Sequence, residues 1–248
     1  MKIAVCVSHV PDTATKIKIG ANNKEIEKTG VTFIINPYDE FAVEEAVRTK
    51  EKFGGDITII SIGDDQNKET IRKALAMGGD KGVLLKTAEA LDSISVAKLL
   101  SEEIKAGGFH IVFMGKQSVD YDNSITGQLT AAMLDYNCIS VCVSLSIEDS
   151  KVTAEREIEG GREVVETSLP VIITAQKGLN EPRYPSIKNI MDAKRKTIED
   201  KPVTAGEISS EVIEMRLPQP KNPGRIIGTD KSAVPELVRL LKEEAKVI

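Results

Sequence analysis

Short apolar runs rich in β-branched residues recur along the first half of the chain, and most of the stretches between them suit helices. Such alternation predicts βα units and a parallel sheet. In two of the runs the apolar residues are continuous, which is typical of strands covered on both faces. The pattern therefore predicts an α/β fold with a doubly wound, mostly parallel sheet. The runs lie at residues 3–7, 31–35, 57–62, 83–85 and 111–114.

The segments between these runs carry signals for helices. Residues 39–52 repeat alanine and valine at four-residue spacing, which indicates one apolar face. Asn36 can cap the free amides, Pro37 suits the first helical position, and Asp39 is favourable in the first turn. Further helices are predicted at residues 67–77, 90–105 and 124–134.

The pattern changes after residue 140 to longer strand-like runs, with Gly160 and Gly161 as a turn between two of them. We expect these runs to extend the sheet with antiparallel strands. Beyond residue 196 prolines accumulate and apolar runs are few, until an amphipathic stretch near the end of the chain. The sequence thus predicts a domain at residues 1–196 and an extended C-terminal arm with a helix at residues 197–248. The runs are residues 141–147, 152–158 and 164–175, and the amphipathic stretch is residues 234–245.

Composition narrows the functions that this chain can have. Its 248 residues include 33 basic and 38 acidic ones, and the net charge of -5 argues against a nucleic-acid partner held by bulk electrostatics. The first apolar run is too short to span a membrane, so we expect a soluble, reducing compartment and ordinary buried thiols at the three cysteines. Two histidines leave little material for metal sites or Ser-His-Asp catalysis.

Polar loops follow several of the predicted strands, and open α/β sheets bind ligands at the carboxyl ends of their strands. The strongest candidate is the loop at residues 115–126, because it leads into a helix whose free amides and positive dipole end suit a phosphate. Ser124 and Thr126 can add hydroxyl donors; the competing interpretation is that they are only caps and turn formers. The sequence has neither a Walker motif nor Gly-x-Gly-x-x-Gly after the first strand, so it indicates nucleotide binding rather than hydrolysis.

One stretch, at residues 179–191, reads Leu-Asn-Glu-Pro-Arg-Tyr-Pro-Ser-Ile-Lys-Asn-Ile-Met. Generic turn or helix chemistry does not demand so particular a string. It resembles the signature of the electron transfer flavoprotein beta subunit family, and the resemblance extends over residues 1–248. The resemblance implies a Rossmann-like, adenine-nucleotide-binding sheet and a heterodimer with an alpha subunit that holds most of an FAD.

The resemblance also implies that the strand-end loops of this chain bind AMP. Cys6 would form a small apolar wall beside the base, and Asn36 would contact the nucleotide as well as cap a helix. Tyr38 falls where the family places an aromatic near the flavin, whereas Thr13 falls where some relatives have an aromatic and cannot stack. The chain departs from better-known members at three side chains of the loop, where backbone amides would serve instead. The implied cofactor-binding residues are Cys6, Thr13, Asn36, Pro37, Tyr38, Asp39, Ile62, Gly115, Lys116, Gln117, Asp120, Tyr121, Asp122, Asn123, Ser124, Ile125 and Thr126, with the departures at Tyr121, Ser124 and Ile125.

By the same resemblance, residues 179–191 are a docking loop for partner dehydrogenases, and Ile187 is the aliphatic side chain that enters a pocket of the partner. From the residues alone, packing in the core is the competing interpretation of Ile187. Glu157 matches an acidic residue that the family links to contacts with the alpha subunit; the simpler interpretation is an exposed strand residue beside Arg156. The implied docking residues are Arg183, Tyr184, Ile187, Ile190, Met191 and Glu157.

These observations predict an electron-carrier subunit with no residue that acts as general acid, base or nucleophile. We expect acyl-CoA or other flavin dehydrogenases as partners, and a cytoplasmic location, or the mitochondrial matrix in a eukaryote. One alternative is the bifurcating, NADH-using branch of the family, whose beta subunit carries a second FAD in place of AMP: residues 10–13 and 36–39 resemble that branch, whereas residues 115–128 and 179–191 resemble the AMP-binding one. Another is a free-standing ATP-binding module of the stress-protein kind, which should lack the docking loop and the arm.

Overall fold

The structure is a computed structural model and describes residues 1–220 and 223–248. Apolar runs form its strands and amphipathic stretches form its helices, in the alternating order that the sequence predicts. The elements, in chain order, are β1 (Lys2–Cys6), β2 (His9–Pro11), β3 (Phe33–Ile35), α1 (Pro37–Phe53), β4 (Asp56–Gly63), α2 (Asn67–Met77), β5 (Lys81–Lys86), α3 (Ser93–Gly107), β6 (Ile111–Gly115), α4 (Thr126–Leu134), β7 (Asn137–Glu148), β8 (Lys151–Ile158), β9 (Gly161–Ser168), β10 (Val171–Ala175), α5 (Ile187–Ala193), β11 (Ile198–Pro202) and α6 (Val234–Glu243).

Most of the strands join one sheet in the order β11-β5-β4-β1-β6-β10-β7-β8-β9. The strands from β11 to β7 run parallel, and β8 and β9 extend the sheet antiparallel. Ala4 of β1 lies between Thr58 of β4 and Val112 of β6. The winding reverses direction between β1 and β6, so a topological switch point lies at their carboxyl ends. The predicted α/β fold with a doubly wound, mostly parallel sheet is confirmed.

Helices cover both faces of the central part of this sheet and bury it. On one face α1 and α2 pack through residues such as Val43 and Ile71. On the other face α3 and α4 pack through residues such as Leu100 and Ala131. The first four residues of β6 are buried, because a central strand between two helical layers has no face in contact with water.

The apolar run at residues 31–35 was wrongly predicted to belong to the main parallel series. It forms β3, which pairs antiparallel with β2 in a separate two-stranded ribbon, with Val10 opposite Ile34. The intervening residues 12–32, all of them described, are mostly exposed and form turns rather than a helix. A parallel crossover needs a long connection, usually helical, whereas an antiparallel pair can be joined by a loop.

The single strand predicted at residues 164–175 is in fact two strands, β9 and β10. They are separated at Leu169 and Pro170, where proline has no amide to continue a ladder. β9 is largely exposed at the edge of the sheet, but β10 is fully buried and enters between β6 and β7, parallel to both. The expected antiparallel extension is therefore correct for β8 and β9, and wrong for β7 and β10, which run parallel to the central strands.

Two helices begin later than predicted. α3 begins at Ser93 rather than residue 90, because the Asp92 side chain accepts a hydrogen bond from the Ser95 amide at 2.8 Å and caps the helix there. α4 begins at Thr126 rather than residue 124, because Ser124 has a left-handed backbone with φ of 54°.

One cysteine departs from the expectation of buried thiols. Cys6 and Cys142 are buried, but Cys138 is exposed. Successive residues of a strand point to opposite faces, and the neighbouring Ile139 takes the inward position on β7.

The C-terminal arm begins with a strand that the sequence did not reveal. Residues 198–202 form β11 at the edge of the sheet, with Ile198 opposite Gly82 of β5. The predicted amphipathic helix is α6, none of whose residues is buried. Residues 221 and 222 of the arm lie outside the described residues, and the division at residue 196 stays a prediction. In the described part of the chain, no helix combines the length and the apolar character needed to cross a membrane.

Candidate functional site

A buried carboxylate joins two strand ends at the switch point. Asp39, in the first turn of α1, is 3% exposed. Its Oδ2 accepts a hydrogen bond from the Ser8 amide at 2.7 Å, and its Oδ1 accepts one from the Gly115 amide at 2.9 Å. Ser8 follows β1 and Gly115 ends β6, so one side chain fixes the spacing of both strand ends. A Cβ at position 115 would overlap the Asp39 carboxylate, which explains the glycine.

Asn36 occupies the N-cap position of α1, but its side chain makes no capping bond, so that prediction is wrong. Its Nδ2 donates to Asp39 Oδ1 and to the Gln117 carbonyl, both at 2.9 Å. Its Oδ1 is turned away from the helix and accepts from the Val119 amide at 3.2 Å. These bonds hold the loop after β6 against the start of α1. The fully buried Asn36 side chain thus shapes the site through the backbone of that loop.

Burial also sets the ionisation of the groups around the switch point. It raises the pKa of the Asp39 carboxyl to about 7, and the hydrogen bonds from Ser8, Asn36 and Gly115 offset only part of this effect. Burial, with a smaller contribution from the Asp39 charge, raises the pKa of the Cys6 thiol well above its ordinary value. Cys6 is therefore a neutral, apolar group at the end of β1.

Side chains of the loop at residues 115–126 hold its shape. Gln117 Nε2 donates to Asp122 Oδ1, and Gln117 Oε1 accepts from the Ser124 hydroxyl at 2.8 Å. Asn123 Nδ2 donates to the Ser93 hydroxyl of α3 at 2.9 Å, which fastens the loop to a second helix. Among the described residues no side chain caps the start of α4. The first amides of α4 have no intrahelical partner and, at the positive end of the helix dipole, suit an anion.

The other residues predicted to bind cofactors differ in exposure. Tyr38 is half-buried, and Lys116 Nζ lies 5.2 Å from the centroid of its ring, within range of a cation–π contact. Ile62, near the end of β4, is partly buried, and Pro37 is the first residue of α1 as predicted. The structure places Cys6, Ile62 and the start of α1 at the same sheet edge as the loop. Exposed side chains are those of Thr13, which lies in the loop after β2, and of Asp120, Tyr121, Asp122, Asn123 and Ile125.

Residues 179–191 form a segment that runs into α5. Leu179 at its start packs against the core, but most of its other apolar side chains are exposed. Tyr184 is 98% exposed and Ile187 is 82% exposed, so the interpretation of Ile187 as a core residue is wrong. Ile190 and Met191 are exposed as well, at 44% and 53%. Arg183, by contrast, forms ion pairs with Glu44 and Glu51 of α1.

Glu157 lies away from this segment, near the end of β8. It is exposed, and its Oε2 accepts a hydrogen bond from Gln176 Nε2 at 2.8 Å. Gln176 directly follows β10, so this bond links the end of the antiparallel extension to the strand that precedes the exposed segment.

Comparison with known proteins decides the family of this chain. The family model described as "Electron transfer flavoprotein domain" matches residues 24–206. The electron transfer flavoprotein subunit beta of Bacillus subtilis is 38% identical over 100% of each chain. The proteins of the same name from Mus musculus and Homo sapiens are 38% and 37% identical over 100% of this chain and 99% of their own. The chain belongs to the electron transfer flavoprotein beta subunit family.

In this member of the electron transfer flavoprotein family, the sequence did not reveal the role of Asn67. This residue shapes the end of β4, which lies at the same sheet edge as the ends of β1 and β6. Asn67 Nδ2 donates to the Ile62 carbonyl at 2.8 Å and to the Ser61 hydroxyl at 3.1 Å, which fixes the end of β4. A Cβ on Gly63 would overlap Asn67, so the glycine permits this contact. The only signal in the sequence was an asparagine at the start of a predicted helix, which indicates an ordinary cap equally well.

Proposed function

We propose that this chain is the AMP-binding beta subunit of a heterodimeric electron transfer flavoprotein. It pairs with an alpha subunit that holds most of the FAD, and it accepts flavin dehydrogenases, such as the acyl-CoA dehydrogenases of fatty acid oxidation, as electron donors. The observation that carries the proposal is the Asp39 carboxylate, which fastens the ends of β1 and β6 at the switch point of the sheet. Switch points are where open α/β sheets hold nucleotides.

The residues around this point fit a nucleoside monophosphate. The side chains of Asn36 and Asp39 are engaged with backbone groups, so their part is to hold the surrounding loops in place. Backbone amides of the loop at residues 115–126 and of the first turn of α4 would take the phosphate. Cys6 and Ile62 provide apolar surface beside the base. The sequence has no Walker motif, which fits a retained structural nucleotide better than a hydrolysed one.

Tyr38 supports a shared flavin site. Its half-buried ring, with Lys116 beside it, offers a flat surface and a positive charge at the edge of the chain. The flavin supplies the redox chemistry when it is bound, while residues of this chain orient it and exclude water. The chain is accordingly an electron-carrier subunit rather than an enzyme with its own acid, base or nucleophile. Thr13 offers no aromatic face to the flavin.

The exposed apolar side chains support two protein contacts. Tyr184 and Ile187 stand out on the segment at residues 179–191, where a single aliphatic side chain can act as the centre of an interface with a dehydrogenase. α6 exposes Leu237 at 43% and Val238 at 47%, an apolar surface that would pack on the alpha subunit. Glu157 would add a polar contact with that subunit.

The two alternatives are weaker. A free-standing ATP-binding module does not account for a match to flavoprotein beta subunits over 100% of the chain. The comparisons do not favour the bifurcating branch; the features that speak for it are residues 10–13 and residues 36–39. In that branch a second FAD would occupy the place that we assign to AMP.

Nucleotide content tests the proposal. The chain is expressed together with its alpha subunit, the complex is purified and denatured, and the released nucleotides are quantified by chromatography and mass spectrometry. We expect one FAD and one AMP per heterodimer. Two FAD and no AMP would move the chain to the bifurcating branch, and a stable monomer that releases ATP would overturn the proposal.

A further inference from the structure

The guanidinium group of Arg183 faces helix α1 rather than solvent. Its Nε donates to Glu44 Oε2 at 2.8 Å, and its Nη2 donates to Glu44 Oε1 at 3.0 Å. Nη1 and Nη2 donate to the two oxygens of Glu51 at 2.6 and 3.1 Å. One N–H of Nε, one of Nη1 and both of Nη2 are thus engaged, which leaves one of the five side-chain donors for any other protein. The Arg183 amide also donates to Glu44, at 3.1 Å.

Burial of Glu44 makes this link more than a surface ion pair. The Glu44 side chain is 3% exposed, whereas that of Arg183 is 37% exposed. Burial alone raises the pKa of Glu44, but the hydrogen bonds from Arg183, with a smaller contribution from Arg48, bring the net pKa below its ordinary value. Without Arg183 the buried carboxylate would keep only Arg48, which is 47% exposed. Removing one partner of a buried pair is strongly unfavourable.

Other polar bonds hold the start of this segment and the end of α5, the helix into which it runs. At the start, Asn180 Nδ2 donates to the Phe41 carbonyl at 3.0 Å and to Glu45 Oε2 at 2.9 Å. At the far end, Arg72 Nη1 donates to the carbonyl of Ala193, the last residue of α5, at 2.6 Å. The segment is therefore fixed to α1 and α2 on its inner side, while Tyr184, Ile187, Ile190 and Met191 are exposed.

We propose that Arg183 is a positioning residue for docking. It holds residues 179–191 in the shape that presents Ile187, and it does not itself contact the dehydrogenase. The inference rests on the proposed function, in which this segment docks electron donors. A segment already fixed in its binding shape loses little conformational freedom on association, whereas a loosened one must be ordered at each encounter.

Kinetics of the complete heterodimer test this role. An acyl-CoA dehydrogenase from the same organism, supplied with its acyl-CoA substrate, reduces the flavin of the complex, and KM for the complex and kcat are measured separately. Arg183→Met is expected to raise KM by about tenfold, with kcat, FAD content and AMP content as in the wild type. Arg183→Lys keeps the positive charge but cannot make paired hydrogen bonds to two carboxylates. Its KM should lie between those of the wild type and of Arg183→Met.

Glu44→Gln separates positioning from direct contact. The buried Glu44 cannot touch the dehydrogenase. If Glu44 and Arg183 act together to position the segment, Glu44→Gln should raise KM about as much as Arg183→Met does. The double variant Glu44→Gln/Arg183→Met should then give no further rise. Hydrogen exchange of residues 179–191 in the free complex should become faster in each single variant. An unchanged KM in Glu44→Gln, additive effects in the double variant, or unchanged exchange would overturn the inference.

Two further variants keep the test decisive. If Glu44→Gln does not fold, Glu51→Gln replaces it and should raise both KM and the exchange rate by a smaller amount; no change in either would overturn the inference. Ile187→Ala separates this inference from the proposed function. If Ile187→Ala raises KM and Arg183→Met does not, only the positioning role fails. If neither variant changes KM while the complex retains FAD, the docking function itself fails.

Discussion

The Asp39 carboxylate and the Gly115 amide, 76 residues apart in the chain, are joined by a hydrogen bond of 2.9 Å. The contact requires both an aspartate at position 39 and a glycine at position 115. The carboxylate accepts from the backbone amide, and a side chain at position 115 would overlap it. The second oxygen of Asp39 binds the Ser8 amide, so the ends of β1 and β6 depend on one buried side chain. The shape of the candidate nucleotide site follows from that dependence.

Asp39→Asn should loosen this site. Asparagine has one acceptor oxygen in place of two and turns an NH2 group towards a backbone donor, so at least one buried donor loses its partner, at about 1–3 kcal/mol. We expect a lower unfolding temperature of the heterodimer by calorimetry and less copurified AMP by chromatography. Asp56→Asn, which changes an exposed carboxylate at the start of β4, is the control and should alter neither. Unchanged AMP content and stability in Asp39→Asn would contradict the role of this carboxylate.

The stability of the protein should depend on pH through Asp39. Its pKa is about 7 in the folded protein against an ordinary 3.8. Between these values the folded protein holds a proton that the unfolded chain has released, so the contribution of Asp39 to the free energy of unfolding falls as pH rises, by up to about 1.4 kcal/mol per pH unit. Urea unfolding at several pH values between about 4 and 8 measures this.

The same unfolding series with Asp39→Asn provides the reference for this pH dependence. The advantage of the wild type over the variant should be largest at the acidic end and should shrink towards pH 7. A difference that stays constant with pH would show that Asp39 takes up no proton on folding in this range.

Gly127→Ala should push the start of α4 away from β10 and destabilise the protein. A Cβ at this position would overlap Thr174 Cγ2 of β10, and overpacking of a close helix–strand contact costs about 1–3 kcal/mol. Because α4 begins one residue earlier, its first amides should shift and AMP content should fall. Gly161→Ala is the matched control, since an added Cβ there meets no atom within 4 Å. Equal unfolding temperatures for the two variants would contradict the close packing.

Ile187→Ala should weaken docking without changing stability. The side chain is 82% exposed, so its truncation removes almost no core contact. If it fills a pocket of the dehydrogenase, KM for the heterodimer should rise by about tenfold, as for a moderate interface hot spot. Val164→Ala, at an exposed valine of β9 outside the segment, should leave KM as it was. A change in unfolding temperature with unchanged KM would indicate a structural role instead.

Much of the fold follows from local signals in the sequence. Continuous apolar runs identified the central strands β1, β4 and β6, because strands covered on both faces need apolar residues at every position. The prediction failed for β3, which pairs with the preceding strand β2 in a separate ribbon, and for β10, whose neighbours β6 and β7 lie much earlier in the chain. Nothing in the run at residues 171–175 shows that it enters between two earlier strands rather than continuing the antiparallel edge.

The sequence predicted that the strand-end loops meet, but it did not predict the roles of their side chains. Strand ends and a polar loop indicated a candidate nucleotide site. Asn36, however, resembled a helix cap, because the partner of its side-chain oxygen, the Val119 amide, lies 83 residues away. Arg183 likewise carried no sign that Glu44 and Glu51 would engage it. Such roles depend on long-range geometry, which neither propensity nor periodicity contains.

The insertion of β10 has a consequence for the order in which the protein is built. Ala175 of β10 is the register partner of Gly115 in β6, and its carbonyl accepts a hydrogen bond from the Lys116 amide at 3.0 Å. β6 pairs with β1 on one side only until residues 171–175 have left the ribosome. Its other side is until then an open apolar edge, and the loop after it lacks this support. The segment that presents Ile187 starts only a few residues later. A nascent chain therefore completes the loop after β6 and the segment at residues 179–191 in the same late interval of synthesis.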